Sequence, residues 1–549
     1  MDRRVSEADP RPHGARGAPV HRERAAAGAH RHRNRAVILD LSSSRDLLLA
    51  LLPELVLTAW SLVLLLLIAW RHRTAADLRL AGCVTLAALA STAGAVWWLW
   101  WHAARAAPTP LAAMIAVDDF RFVTDWLFLG AAALTVLLSF NYLEREQLLI
   151  PEYHALIVFA TLGMMLMGGG DDLIVVFLGL ELLSVSVYVL AGINRKSAAG
   201  AEAAFKYFLL GAFASSFLLY GIALVYGATG TTGLRAIAAQ VGAGAGGGTM
   251  LAIGLALLLI GFGFKVAAVP FHMWVPDVYD GSPTPVTAYM ASGVKAAAFA
   301  ALFRVLGEAF SAVAAWHEIV WWLAVATMVV GNLIALAQRA VKRMLAYSSV
   351  AHAGYLLVAV AAGPGPGSAA FLFYLVAYTL MTLGAFALLA AKGRQGERDV
   401  LIDDLAGLAT RHPWLAFALA VCMLSLLGFP GTAGFIGKWY ILAAATSAGQ
   451  GGLAAALVLT SVISAGYYLP VIMAMYMKPE PSAEAHVGMR LGRLGYAVVT
   501  VCVAGLLFFG VRPNRLLDLA RTGGVAGPPA PEAIPAAPAV SAAHAPTAR

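Results

Sequence analysis

The stretch GFGFKVAAVPFHMWVPDVYDGSPTPVTAYMASGVKAA, residues 261–297, decides how this chain is read. It begins as an apolar run, is interrupted at Pro270, turns through a Pro/Gly-rich segment and resumes as a second apolar run, with Lys265 and Lys295 inside otherwise lipid-compatible sequence. Backbone groups freed by a break within a bilayer can be satisfied only by protein or by a wet cavity, because lipid offers no partner. A charge at the bilayer centre costs roughly 3 kcal/mol on insertion scales, so lysines beside such a break mark a pathway for protons or ions.

The rest of the chain has the same character. Of 549 residues, 60% are hydrophobic and only 12% charged, which excludes an ordinary soluble enzyme. Apolar runs of spanning length, about 20 residues each, fall near 46–70, 80–101, 120–140, 153–170, 171–192, 202–228, 250–272, 283–307, 316–336, 341–363, 368–391, 413–444, 452–478 and 490–511. An all-α polytopic membrane protein of about fourteen transmembrane helices is therefore expected. Joints such as Gly192 to Gly200 and Gly363 to Gly367 leave no room for a soluble domain, so the chemistry must lie in the membrane.

Sliding the chain on itself by about 167 residues aligns AAFKYFLL at Ala203 with AAFLFYLV at Ala369, and SVYVLAG at Ser186 with AGYLLVAVAAG at Ala353. The matching spans are five apart. An odd number of crossings inverts the second unit relative to the first, giving two inverted five-helix repeats over about 153–307 and 316–478, an arrangement shared by many transporters. A second broken run, LLGFPGTAGFIGKW from Leu426 to Trp439, occupies the corresponding place in the second unit and carries Lys438.

Six residues stand out as carriers of charge or protons: Glu181, Lys206, Lys265, His272, Lys295 and Lys438. Lys295 lies about a dozen residues from either end of its run, beyond the reach of a snorkelling side chain. Glu181 is similarly central; its structural alternative is a static ion pair with Lys206 that locks two helices. Lys206 is a turn from its expected helix start and could snorkel. His272, seven residues after Lys265, would lie on the same face of an unbroken helix about 10.5 Å away, a distance that needs a water chain. Its imidazole can pass a proton from one nitrogen to the other, which suits a relay, although a histidine beside aromatics is more often interfacial. Asp277 and Asp280 read as turn or capping residues.

Cys83, Cys422 and Cys502 stand in separate spans without ligand spacing, so no metal or cluster is implied. The glycine tract 242–248 lacks a phosphate-loop context and reads as a connection. Nothing points to a nucleic-acid partner. With the first span starting outside, Lys and Arg concentrate on one side, including Arg71, Arg145, Arg195, Arg339, Arg411 and Lys478, against Arg105 and Arg235 on the other, and the basic side should be cytoplasmic. Residues 1–45, with ten arginines and four histidines, conflict with that orientation and lack the apolar core of a signal peptide. They are read as a disordered leader outside the mature protein, with translation starting near Val37; intact mass of the subunit decides this. Residues 46–511 form the membrane domain, and 512–549, rich in Pro and Ala, a disordered tail.

LGLELLSVSVYVLAG at Leu178, AEAAFKYFLLGAFASSFLLYG at Ala201 and the opening stretch at Gly261 resemble subunit N of the bacterial proton-pumping NADH:quinone oxidoreductase, respiratory complex I. The likeness runs from about Leu47 to Val511. It implies a fourteen-helix membrane-arm subunit in which helices 4 to 8 and 9 to 13 are inverted repeats and helices 7 and 12 are broken. The resemblance assigns Glu181 and Lys206 as a glutamate–lysine pair, Lys265 and Lys295 as central lysines, His272 as a connecting histidine and Lys438 as the terminal lysine, all serving proton translocation. A lysine at the last position fits subunit N or L and departs from subunit M; the PDVYDGSPTP stretch favours N. The resemblance further implies that NADH, FMN, iron–sulfur clusters and quinone are held by other subunits and no cofactor by this chain. It implies, as partners in the bacterial inner membrane, other membrane-arm subunits including another antiporter-like subunit. The alternatives are a subunit of a multi-subunit Na+/H+ antiporter and a purely structural membrane-arm subunit.

Overall fold

A computed structural model of the chain describes residues 37–39, 44–71, 74–105, 114–244, 248–391, 400–479 and 491–522. Most of the expected leader, residues 245–247 of the glycine tract and residues 523–549 of the expected tail lie outside the described residues.

Among the described residues, thirteen helices are long and apolar enough to cross a membrane. They are α1 (Leu52–Trp70), α2 (Ala75–His102), α3 (Asp119–Arg145), α4 (Glu152–Gly169), α5 (Leu173–Ala191), α6 (Ala198–Thr229), α7 (Thr249–Val266), α9 (Thr284–Ala309), α10 (Ala315–Leu336), α11 (Val341–Ala361), α12 (Pro364–Ala391), α15 (Gly451–Met477) and α16 (Arg493–Val511). The short α8 (Val275–Gly281) completes the broken span begun by α7. The twelfth expected span, the second broken run over 413–444, is two shorter helices, α13 (Pro413–Leu427) and α14 (Ala433–Ser447). A last helix, α17 (Asn514–Thr522), occupies sequence expected to be disordered tail: Leu516, Leu517 and Ala520 bury one side of it and hold it to the bundle. Outside the helices, Val37–Leu39 and Ala103–Arg105 form one short parallel pair.

Units α4–α9 and α10–α15 carry the same local solutions. In the first, a Cβ on Gly163 of α4 would come within 2.5 Å of the Leu183 backbone nitrogen of α5; in the second, one on Gly331 of α10 would come within 2.6 Å of the Ala351 nitrogen of α11. Only glycine permits backbones to cross so closely, and the two crossings are separated by nearly the same offset as the sequence repeat. Each broken span also ends its first half in the same way. Ala267 (φ 64°) and Gly428 (φ 88°) turn left-handed, and the next residue returns a bond to the helix, Ala268 N to Gly263 O at 2.8 Å and Phe429 N to Leu424 O at 2.9 Å. These are Schellman-type caps, which satisfy carbonyls that lipid could not.

The first break is secured further by side chains. Trp274 Nε1 donates to Phe264 O at 3.0 Å, and Val269 N donates to Thr327 Oγ1 of α10 at 3.0 Å. Helix α9 contains two π-helical turns, Met290–Val294 and Val305–Ala309, and Lys295 follows directly on the first. Such turns free backbone groups within a helix and recur at functional sites.

Candidate functional site

Lys265 is the penultimate residue of α7, buried where the helix breaks. Its Nζ donates to Ser184 Oγ at 2.6 Å and Tyr188 Oη at 3.2 Å, both on α5. The ammonium also lies 5.1 Å from the Tyr188 ring centroid and 5.5 Å from that of Tyr207, geometry in which aromatic faces partly replace water around a cation. Ser184 and Tyr188 are four residues apart and therefore on one helix face, which makes α5 a receptor for the lysine.

Lys295 is buried at the centre of the molecule and donates to Ser349 O at 2.8 Å and Ser349 Oγ at 2.9 Å. Ser349 belongs to α11, so a lysine of the first repeat is held by the second. One turn further along α11 is His352, fully buried, with Nδ1 2.6 Å from Tyr374 Oη and Nε2 3.1 Å from Tyr468 Oη. Lys295 binds Ser349 three residues before this imidazole on α11 and Lys438 meets Tyr355 three residues after it, so His352 stands between the two contacts. Lys438 of α14 donates to Leu427 O at 3.1 Å and lies 4.5 Å from the Tyr355 ring centroid. It packs over Gly428, where a Cβ would meet Lys438 Cδ at 3.0 Å. Between Lys265 and Lys295, Tyr207 stacks on Trp274 at 4.4 Å, and Trp274 meets Tyr279 edge-on at 6.0 Å. Buried lysines, hydroxyls and an imidazole thus run from α7 through α9 and α11 to α14.

The expected Glu181–Lys206 pair is not formed. Lys206 Nζ instead binds Asp277 Oδ2 at 2.7 Å and Glu202 Oε1 at 2.6 Å. Asp277 and Asp280, expected as turn or capping residues, are ion-pair partners: Arg343 of α11 reaches Asp277 at 3.2 Å and Asp280 at 3.5 Å. The Pro/Gly neighbours of these aspartates imitate a turn, but α8 is helical and presents them to α6 and α11. Glu181 remains half-buried, its Oε1 without a hydrogen-bond partner among the described residues, yet near enough to act on Lys265 and Tyr188.

His272 is a second correction. The break at Ala267 removes the continuous helix that would have aligned it with Lys265, and it sits partly exposed in the turn, its Nδ1 without a partner among the described residues. His352 occupies the position between lysines that sequence reasoning gave to His272. The available signal was SSVAHAGY, residues 348–355, whose Ser348, His352 and Tyr355 recur at helical spacing in an apolar span.

A further buried set lies at the opposite ends of these helices. Arg121 bridges Glu54 at 2.7 Å and Asp125 at 3.5 Å, and Arg304 binds Asp118 at 2.7 Å and Glu308 at 2.8 Å. Cys422 and Cys502, apart in sequence, meet across Gly384, and no group of three metal-ligating side chains occurs among the described residues.

Two inverted units, each with a broken span and a buried lysine against a tyrosine, define the class of antiporter-like subunits of ion-translocating membrane complexes. The family model for NADH:quinone oxidoreductase/Mrp antiporter transmembrane subunits matches residues 170–464. NADH-quinone oxidoreductase subunit N of Gemmatimonas aurantiaca is 44% identical over 499 residues, covering 88% of this chain and 94% of that protein. A chain of respiratory complex I from Thermus thermophilus, solved with bound aureothin, superposes with a TM-score of 0.72 at 39% identity, covering 86% of this chain and 100% of that one. A chain of the Mrp complex from Dietzia sp. shares the fold, with a TM-score of 0.75 at 24% identity over 87% of this chain and 97% of that one. The chain belongs to the subunit N family of NADH-quinone oxidoreductase.

Proposed function

We propose that this chain conducts protons across the membrane along Lys265, Lys295, His352 and Lys438, as a membrane-arm subunit of NADH:quinone oxidoreductase that couples quinone reduction elsewhere in the complex to translocation. The observation that carries this reading is the placement of His352: an imidazole held by two tyrosine hydroxyls, on α11 between the residues that hold a lysine from each repeat. Imidazole can accept a proton on one nitrogen while releasing one from the other, and the adjoining hydroxyls can follow. Glu181 acts on Lys265 electrostatically, so a change in charge near Glu181 alters whether Lys265 holds its proton. Lys206, with Glu202, Asp277 and Arg343, forms an ion-pair cluster at the end of that input. His272 serves at the wet side of the break.

NADH, FMN, iron–sulfur clusters and quinone belong to other subunits in this reading, and this chain supplies proton carriers alone. Glu181 lies on a face where Leu178, Val185, Phe205 and Phe208 are exposed. A central carboxylate cannot face lipid unpaired, so a neighbouring membrane-arm subunit covers this face. Another antiporter-like subunit is among the chain's neighbours. The complex sits in the bacterial inner membrane, with protons entering from the side rich in Lys and Arg. Moving one charge against about 150 mV costs about 3.5 kcal/mol, which a pKa change of about two to three units supplies at about 1.36 kcal/mol per unit.

The test is Lys265→Ala in membranes with assembly of the complex verified. Proton uptake coupled to NADH:quinone turnover is expected to fall on the order of a hundredfold. Unchanged pumping would assign the chain a structural role, and uptake that tracks Na+ would assign it to cation exchange.

A further inference from the structure

We propose that the cleft between α2, α3, α12 and α17 binds an anionic phospholipid, with one acyl chain in the cleft and the headgroup at Arg515. The cleft encloses about 410 Å3 and its walls are almost wholly apolar. Trp97, Trp100, Trp101 and Trp126 line it, and tryptophans concentrate where the bilayer meets water. Trp100 is fixed there by donating its indole N–H to Asp119 at 2.7 Å. The nine-residue α17 is too short to span a membrane. Its apolar side is buried and its other side is charged, so it lies in the plane of the interface, on the outer side by the placement of Lys and Arg.

The charges on α17 are not equivalent. At 3.6 residues per turn, Arg515 projects about 40° from Leu519, which lines the cleft, while Arg521 projects from the far edge. Arg521 is also engaged by Asp518 at 3.8 Å. Arg515, exposed, is thus the α17 cation on the side of the apolar slot. That pairing of a cation with a slot matches a phosphate carrying an acyl chain.

Gly130 supplies the test, since it lines the cleft and a Cβ there would meet nothing within 4 Å. A larger side chain at this position therefore fills the cleft without disturbing the helix. The assembled complex is reconstituted with phosphatidylglycerol or phosphatidylcholine carrying the same photoactivatable acyl chain, and labelling is mapped on the peptides spanning 97–101 and 126–134. Wild type is expected to be labelled about fivefold more by phosphatidylglycerol, the preference one basic residue gives near an anionic headgroup. Gly130→Leu should remove most of the labelling, with Gly130→Ala intermediate. Arg515→Gln should equalise the two lipids and leave acyl-chain labelling in place. Equal labelling by the two lipids in wild type, labelling indifferent to both Gly130 variants, or a photoproduct joining these peptides to another subunit in place of lipid would each overturn the proposal.

Discussion

The two repeats bring a lysine to a tyrosine from opposite sides of a helix break. In the first unit Lys265 stands just before the left-handed turn at Ala267 and reaches back to Tyr188; in the second, Lys438 stands well after the turn at Gly428 and reaches Tyr355. Tyr188 and Tyr355 occupy equivalent places on α5 and α11. The position of the cation against the second helix of each unit is therefore kept, while either half of the broken span can deliver it. The units also differ in surroundings. Over an 18-residue apolar stretch of α6, 39% of residues are buried, against 89% in the equivalent α12. Helix α6 of the first unit thus faces outward near Glu181, whereas its counterpart α12 in the second is enclosed by the protein itself. Input from neighbours is possible at the first and transfer between fixed groups is favoured at the second.

Replacing Lys295 tests whether the halves work as one. Lys295→Ala is expected to reduce proton uptake on the order of a hundredfold, because this lysine joins the first unit to Ser349 of the second. Retention of half the uptake would mean that each unit conducts alone, and the comparison would fail. The histidines sharpen it next. His352→Ala should lower uptake about tenfold, less than a direct carrier because solvent can substitute in part, while His272→Ala should stay within about twofold; the reverse order, measured in the same membranes, would restore His272 as the relay.

The tyrosines separate the two modes of contact. Tyr188→Phe removes a hydroxyl that accepts from Lys265 and should slow uptake about fivefold, near 1 kcal/mol for one hydrogen bond. Tyr355 meets Lys438 with its ring, so Tyr355→Phe should change little, and equal losses would show that both units depend on the hydroxyl. The smallest effect belongs to the exposed Lys478–Asp403 pair, where the ammonium holds the carboxyl below the usual carboxylate range. Whatever it contributes is present above the ordinary carboxylate pKa and disappears as pH falls through the lowered one. Because the pair is solvated, Asp403→Asn should leave thermal stability of the assembled complex unchanged within error.

Lys265, Lys295 and Lys438 were legible in the sequence because a charge in an apolar run contradicts its surroundings, and the breaks were legible because Pro and Gly contradict a helix. Partners were not. Lys206 and Glu181 are near in sequence and opposite in sign, yet Lys206 turns to Asp277, on a segment 71 residues away. His352 escaped notice for the converse reason: a histidine among serines and tyrosines in a buried helix looks like ordinary packing until the two lysines that flank it converge in space. The short helix α17 was hidden by the Pro- and Ala-rich sequence that follows it.

The amide of Val269, at the break of the first unit, is capped by a hydroxyl of α10 in the second. A first unit of this shape, standing by itself, would have an uncapped donor at its break. The halves are alike in form yet joined at this point, so cutting the chain between α9 and α10 would be expected to yield two fragments that are stable only when made together.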